Sequence, residues 1–201
     1  MRVRFFDSGT PVWRFIGNFG EMLILSLLWV LCSFPLITAG AASTALYDTI
    51  VHCIRNREED IFTRFWRTLK KELVPSIPSS LLWEIILAGA FLLLRTYALN
   101  AGTSRAAYAS AIGLIFLLIF ILGIACWVFP ILSRFTSSFV SLNVTSVKLA
   151  VANTPRTIAL GAITAVSVWL CVSFILPVMI LPSVAFLSWS YLIEPVFQKY
   201  I

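Results

Sequence analysis

The sequence predicts an all-α, polytopic membrane protein that forms a single integral membrane domain over residues 1–201. Of its 201 residues, 60% are hydrophobic and only 12% are charged, whereas about a quarter of the residues in an ordinary globular protein are charged. Apolar runs of roughly 18 residues or more recur along the chain, which is the length a helix needs to cross about 30 Å of hydrocarbon. The runs are apolar on every face, unlike the alternating strands of a transmembrane barrel.

Five apolar segments are predicted to span the membrane, and a sixth candidate is shorter and more polar. The five lie at about 20–36, 76–98, 107–132, 157–177 and 179–197, and the sixth candidate lies at about 39–54. Lys and Arg accumulate on the cytoplasmic side of membrane proteins. If 39–54 crosses, thirteen of the 15 Lys and Arg residues lie on one side with both termini, and only Arg95 and Arg105 lie on the other. We therefore predict six spans in the cell membrane with cytoplasmic termini; five spans, with a partition of ten against five, is the alternative.

Residues 32–48 (CSFPLITAGAASTALYD) decide whether this sixth candidate is a separate helix. Pro35 is predicted to end the first helix, because its ring removes a hydrogen-bond donor and clashes with the preceding turn. Thr38 is expected to cap the next helix by accepting a bond from a free N–H. Gly40 and the small residues around it would let that helix approach a neighbour closely. Cleavage of a signal peptide near Gly40 is the alternative, although the leader would be about 41 residues long and leaders usually have 15–30.

Residues 58–73 (EEDIFTRFWRTLKKEL) have the pattern of an amphipathic cytoplasmic helix. Asp60 is the expected N-cap, apolar residues recur at spacings of three and four, and the other faces carry Arg64, Arg67, Lys70 and Lys71. Such a helix usually lies in the membrane interface, with its cations near anionic headgroups. The alternative is that it is a docking surface for a partner protein. A second, less charged element is expected at 133–156, and a proline (Pro75, Pro155) stands at the start of the span that follows each element.

Scattered positions along the chain carry a resemblance to a known family. They include Trp29, Pro35-Leu36-Ile37-Thr38-Ala39-Gly40, Ala45-Leu46-Tyr47, Phe62, Phe65, Phe129-Pro130, Arg134-Phe135, Asn153, Pro155-Arg156-Thr157, Tyr191 and Pro195-Val196-Phe197. Through these positions the chain resembles the YesL family, also called the domain of unknown function 624, of bacterial integral membrane proteins. The resemblance implies a link with carbohydrate ABC transporters of Gram-positive bacteria, and it transfers no catalytic residue. We therefore expect a non-catalytic accessory or regulatory subunit whose partners are the lipid bilayer and ABC transporter permease subunits.

A few polar residues inside the apolar segments are candidates for a functional site. Asp48 and His52 are four residues apart and share a helix face with Thr44. Three residues in a line on one helix do not assemble the bent relay of nucleophile, base and acid that hydrolysis requires. Glu84 lies about eight residues into a span, where an isolated charge is costly and usually marks a polar pathway or an intramembrane pair. We therefore expect an intramembrane polar or partner-binding site at Glu84, Asp48 and His52, and a small transporter or channel built around Glu84 is the alternative function.

Motifs for catalysis, cofactors and metal ions are not found in the sequence. The four cysteines lie singly in or beside apolar runs, with no CxxC pair to indicate a zinc or redox site. A phosphate-binding glycine loop does not occur, so the chain is not predicted to be an ATPase itself. Basic and aromatic residues interleave at 61–71, but their proximity to the membrane explains them more simply than RNA binding does. We predict no enzyme activity, no cofactor and no nucleic-acid partner.

Overall fold

The computed structural model is all-helical and describes residues 11–56, 60–100, 105–135, 138–174 and 176–200. These ranges hold the α-helices α1 Pro11–Ser33, α2 Leu36–Thr49, α3 Ile61–Asn100, α4 Arg105–Arg134, α5 Phe139–Ala152, α6 Thr154–Ser173 and α7 Leu181–Tyr200. A π-helical turn, Ile50–Arg55, extends α2, and a 3₁₀ turn, Leu176–Met179, precedes α7. The all-α prediction is therefore confirmed.

Three of the described helices are long and apolar enough to cross a membrane. The qualifying segments are Ile61–Tyr97, Tyr108–Arg134 and Thr154–Ser173, and the helices Phe19–Ser33 and Phe139–Ala152 are apolar but shorter. The prediction of a helical protein with membrane-spanning segments is confirmed at this level, whereas the number of six spans is not confirmed.

α2 is the innermost helix of the bundle. It packs against α1, α3, α4 and α7, and every residue from Gly40 to Thr49 is buried. A Cβ atom added to Gly40 would lie 2.5 Å from the Cβ of Ser80 and 3.3 Å from the ring of Phe129. Glycine therefore allows α2 to lie directly against both α3 and α4, as small residues do at helix interfaces in membranes.

The turn between α1 and α2 differs from its expected capping. α1 ends at Ser33 and α2 begins at Leu36, so Thr38 lies inside the first turn of α2 and does not precede it. The Thr38 hydroxyl donates to the carbonyl oxygens of Cys32 (2.5 Å) and Pro35 (2.8 Å). The expectation that Thr38 accepts from a free N–H is therefore wrong, because its hydroxyl bonds carbonyl groups at the end of α1.

α3 is one continuous helix of 40 residues that contains both Pro75 and Pro78. The amphipathic segment expected at 58–73 forms its first part, beginning at Ile61 directly after Asp60; residues 57–59 lie outside the described residues. At 1.5 Å per residue the helix is about 60 Å long, twice the thickness of the hydrocarbon. The expected boundary at Pro75 is absent, and α3 is longer than a single crossing requires.

The two elements expected between spans, at 58–73 and 133–156, therefore connect to the following helix differently. The one expected at 133–156 is α5, and Asn153 separates it from α6, whose first turn holds Pro155. α6 then lies directly against α4. Cβ atoms on Gly123 or Gly161 would collide with the backbone of the opposite helix, so both glycines are required for this close contact.

Candidate polar site at the basic end of the bundle

Two adjacent residues of α2 organise the end of the bundle where α2 and α4 end and α3 begins. Tyr47 and Asp48 are both buried, and they lie on different sides of α2. Asp48 faces α3, whereas Tyr47 faces α7 and the end of α4. The bundle therefore holds two polar clusters, one on each side of its central helix.

The Asp48 cluster consists of Asp48, His52, Arg64 and Thr68. The guanidinium group of Arg64 donates two hydrogen bonds to the carboxylate of Asp48, from Nε to Oδ2 (2.6 Å) and from Nη2 to Oδ1 (3.0 Å). The Thr68 hydroxyl donates to Oδ2 (2.7 Å), and Nε2 of His52 lies 3.4 Å from Oδ1. Bidentate pairing of this kind is the strongest geometry for an Arg–carboxylate contact, and it fixes α3 against α2.

The Glu194 cluster consists of Tyr47, Arg134 and Glu194. Both the Tyr47 hydroxyl (3.1 Å) and Nη2 of Arg134 (2.8 Å) donate to Oε1 of Glu194. One carboxylate thereby joins α2, α4 and α7. Glu194 is not among the site residues predicted from the sequence, because it lies near the end of the predicted span 179–197.

The π-helical turn Ile50–Arg55 contacts both the Asp48 cluster and α7. It carries His52 towards the Asp48 cluster and Arg55 towards α7. Nη1 of Arg55 donates to the carbonyl oxygen of Ser190 (3.1 Å), and its guanidinium carbon lies 5.0 Å from the centre of the Tyr191 ring, within the range of a cation–π contact. π-Helical turns are rare and are frequent at functional sites, and this one lets a single helix contact both neighbours.

A cavity of about 180 Å³ adjoins the Asp48 cluster. Its lining is polar and is formed by Asp48, Arg64, Arg67, Thr68, Lys71, Glu72 and Ser133. Arg64 is paired with Asp48, and Nζ of Lys71 lies 3.0 Å from Oε1 of Glu72. Because the cations and carboxylates are paired with one another, this arrangement is suited to holding helices together.

The structure brings together two of the three residues expected at an intramembrane polar site. Asp48 and His52 are in contact. Thr44, which shares their helix face, is not aligned as a nucleophile, because its hydroxyl donates to the carbonyl oxygen of Gly40 (2.9 Å). Glu84 lies 16 residues beyond Thr68 on α3, a separation of about 24 Å at 1.5 Å per residue. It is partly buried, and it makes no hydrogen bond or ion pair with any residue in the described ranges.

The four cations expected on the amphipathic helix fall into two groups. Arg64 is directed inward to Asp48, whereas Arg67, Lys70 and Lys71 are exposed. An inward cation could have been anticipated from a general rule, since a buried acid needs a cationic partner, and the 61–71 segment supplies four cations soon after Asp48. Which of its cations makes the pair depends on helix packing, which the sequence does not give.

Comparison with known proteins finds one family model that matches part of the chain. Residues 22–97 match the family DUF624, described as a protein of unknown function. The match includes α2, the Asp48 cluster and Glu84, and it ends before Arg134 and Glu194. No curated protein and no solved structure matches the chain.

Among the described residues, the structure holds no group of three or more His, Cys, Asp or Glu side chains that could bind a metal ion.

Proposed function

We propose that the chain is a non-catalytic accessory or regulatory subunit of a carbohydrate ABC transporter in the bacterial cell membrane. The partner comes from the resemblance to the YesL family, and the DUF624 match over residues 22–97 is consistent with that resemblance. The role of subunit is supported by a difference between the two faces of the first part of α3.

One face of this part of α3 is fixed within the bundle, and the other is exposed. Phe65 and Leu69 are buried and Arg64 is bound to Asp48. The opposite side presents Phe62 and Trp66, which are 48% and 43% exposed. These two aromatic residues lie one turn apart and beside exposed cations. Aromatic and basic side chains on a rigid support are the residues that contribute most to protein interfaces, and this surface carries the proposal.

The absence of catalysis in this proposal is supported by the bonding of the polar residues. Asp48 accepts bonds from Arg64 and Thr68, and Glu194 accepts bonds from Arg134 and Tyr47. These bonds join α2 to α3 and α7 to α2 and α4, so both carboxylates serve as contacts between helices. The small-residue face of α2 is buried within the chain, so it is not offered to a partner.

The proposal places both termini and thirteen of the 15 Lys and Arg residues on the cytoplasmic side, following the positive-inside rule. All six predicted segments then lie in the membrane. The charge partition requires that the chain enters and leaves each consecutive pair of predicted segments on the same side of the membrane. It does not determine how deeply each pair is inserted in the membrane.

Co-purification after mild detergent extraction tests this function. We expect the tagged chain to purify with permease subunits, and we expect Trp66→Ala to reduce their recovery about tenfold, as loss of an aromatic interface residue does. Trp169→Ala, which changes an exposed tryptophan on α6, is the matched control and should retain the permease. If neither extraction nor cross-linking in cells ever recovers permease subunits, the function is wrong.

A small transporter or channel is the second candidate, and Glu84 supports it. This carboxyl lies within a helix long enough to span the membrane and has no partner in the described part of the chain. A transport role predicts that purified chain in liposomes conducts a sugar or an ion, and that Glu84→Gln abolishes the flux. Absence of flux for every solute tested would remove this candidate.

A further inference from the structure

We propose that α1 and α2 form a re-entrant hairpin, which enters and leaves the membrane by the basic side and inserts its tip among the lipid acyl chains near the bilayer centre. The inference rests on the proposed function only for the name of that side, the cytoplasm. In a re-entrant hairpin, the first pair of predicted segments enters the membrane but does not cross it.

The α3–α4 pair provides a scale for depth in the membrane. The two helices run side by side in opposite directions: Ile86 and Leu93 line one groove with Leu114 and Ile121, and the hydroxyls of Tyr97 and Ser110 are hydrogen bonded near the far end. Both helices belong to the segments long enough to cross a membrane. Positions on α3 can therefore be converted into depth at 1.5 Å per residue.

Charged residues mark the two edges of the hydrocarbon on α3. The stretch 74–94 lies between Lys71 and Arg95 and contains a single charged residue, Glu84. Its length is about 31 Å at 1.5 Å per residue, equal to the thickness of the hydrocarbon core. The basic edge of the membrane therefore lies near Val74, and the opposite edge lies near Arg95.

The start of α2 falls well inside these edges. Gly40 touches Ser80, which is about 9 Å from Val74 and about 22 Å from Arg95 along the helix. α2 begins only four residues before Gly40, which adds about 6 Å. α1 runs back beside α2, as the hydrogen bond from Trp29 to Ser43 (3.1 Å) shows. The turn between α1 and α2 thus ends near the bilayer centre, about 16 Å short of the far edge.

The turn has an apolar outer surface, and the hydrogen bonds of Thr38 are made within the α1–α2 hairpin itself. Its outward side chains are apolar and largely exposed: Leu31 71%, Phe34 90%, Leu36 70% and Ile37 53%. A backbone turn in lipid must satisfy its own polar groups, because no water is present to bond them. Pro35 has no N–H, and its carbonyl accepts bonds from both the N–H (2.9 Å) and the hydroxyl of Thr38. The same hydroxyl donates to the carbonyl of Cys32.

A re-entrant hairpin also accounts for two features of the sequence. Segment 39–54 is short and polar because α2 is surrounded by protein from Gly40 to Thr49. The partition of thirteen cations against two is retained, because both ends of a re-entrant hairpin lie on the side from which it enters.

Cysteine labelling in intact cells tests the depth of the turn. The four native cysteines are replaced by alanine, and single cysteines are placed at Phe34→Cys, Gly102→Cys and Lys70→Cys. A charged, impermeant maleimide is applied from outside and then after permeabilisation, and a lipid-soluble maleimide is applied in parallel. Leu36→Cys provides a second position at the tip in case Phe34→Cys fails to accumulate.

We expect the charged reagent to label Gly102→Cys from one side and Lys70→Cys from the other. Phe34→Cys should be labelled from neither side, at no more than roughly a tenth of the level at Gly102→Cys, because hydrocarbon excludes charged groups. The lipid-soluble reagent should label it fully only after the membrane is dissolved in denaturing detergent, because a thiol in hydrocarbon stays protonated and unreactive. Labelling of Phe34→Cys from the Gly102 side would establish two crossings, and labelling from the Lys70 side would place the tip outside the lipid; either result overturns the inference.

This test is independent of the proposed function. Inaccessibility of Phe34→Cys would support the hairpin even if no permease is ever recovered. If the sides of Gly102→Cys and Lys70→Cys were exchanged, the proposed orientation would be wrong, while the depth of the turn would still be measured.

Discussion

The two ends of the α3–α4 pair both carry large apolar side chains but differ in what covers them. At the basic end, Phe65, Trp127 and Ile131 are buried by other helices of the chain. At the far end, Phe91, Leu93 and Phe116 are each more than half exposed, and an apolar groove of about 340 Å³ lies between the two helices. Protein surrounds the first end, and lipid is left to surround the second.

This difference indicates where the stability of the fold resides. Lipid chains are as apolar as leucine, so hydrophobicity does not drive helices together within a membrane, and packing and hydrogen bonds do. Those contacts are concentrated at the basic end, in the Asp48 and Glu194 clusters and around Gly40. Substitutions there should be costly, and matched substitutions at the far end should be tolerated.

The largest effect is expected for Asp48→Ala. Arg64 would remain mostly buried without its carboxylate, and leaving one member of a buried pair unpaired costs about 3–5 kcal/mol. Thermal unfolding in detergent should show a large decrease in stability. Asp48→Ala combined with Arg64→Leu should recover most of it, because no unpaired charge is left. Glu84→Ala is the control, and an equal loss of stability in that variant would remove the distinction between the two ends.

The sequence predicted the helices better than it predicted their contacts. Apolar periodicity and length are local signals, and they located α4, α6 and α7 within a few residues, whereas α1 begins nine residues before the predicted segment. The Asp48–Arg64 and Arg134–Glu194 pairs join residues far apart in the chain, so no spacing rule could have identified them. Of the expected site residues, Asp48 and His52 lie together, and Glu84 lies apart from them.

Proline was the least reliable local signal. Pro35 stands directly before α2, as expected, but α3 continues through Pro75. A proline inside a helix removes one hydrogen bond, and the packing of α3 against α2 on both sides of Pro75 outweighs that loss. Contacts made at Arg64 and at Ser80 belong to the tertiary structure, so the sequence around Pro75 does not reveal them.

The next largest effect is expected for glycines of α4. Gly123→Ala would place a methyl group against the carbonyl of Thr157, whereas a Cβ on Gly113 meets nothing within 4 Å. Because backbone cannot move aside as a side chain can, Gly123→Ala should destabilise the protein by about 1–3 kcal/mol. Gly113→Ala is the matched control on the same helix, and its unfolding temperature should be unchanged or slightly higher, since alanine favours helix. Equal behaviour of the two variants would show that α4 and α6 are not in close contact.

A smaller effect is expected for Glu194→Gln. The amide retains the shape of the carboxyl but loses its charge, so the bonds from Tyr47 and Arg134 weaken. Because Arg134 is 26% exposed, water replaces part of the lost interaction, and a decrease of about 1–2 kcal/mol is expected. Tyr47→Phe removes one of the two bonds and should cost about 1 kcal/mol. A loss as large as that of Asp48→Ala would contradict the different burial of the two clusters.

The smallest effect on stability is expected for Lys70→Ala, and it separates the two faces of α3. Lys70 is exposed, and a surface substitution of this kind changes stability by no more than about 0.5 kcal/mol. Arg64→Ala, six residues earlier on the same helix, leaves Asp48 without its arginine and should resemble Asp48→Ala in thermal unfolding. If Lys70 belongs to a surface that binds a partner or anionic lipid, its substitution should weaken that binding by about 1 kcal/mol while the fold is preserved. If Lys70→Ala reduced both stability and binding, Lys70 would have to lie inside the bundle with Arg64. The distinction between a structural face and an exposed face of α3 would then be wrong.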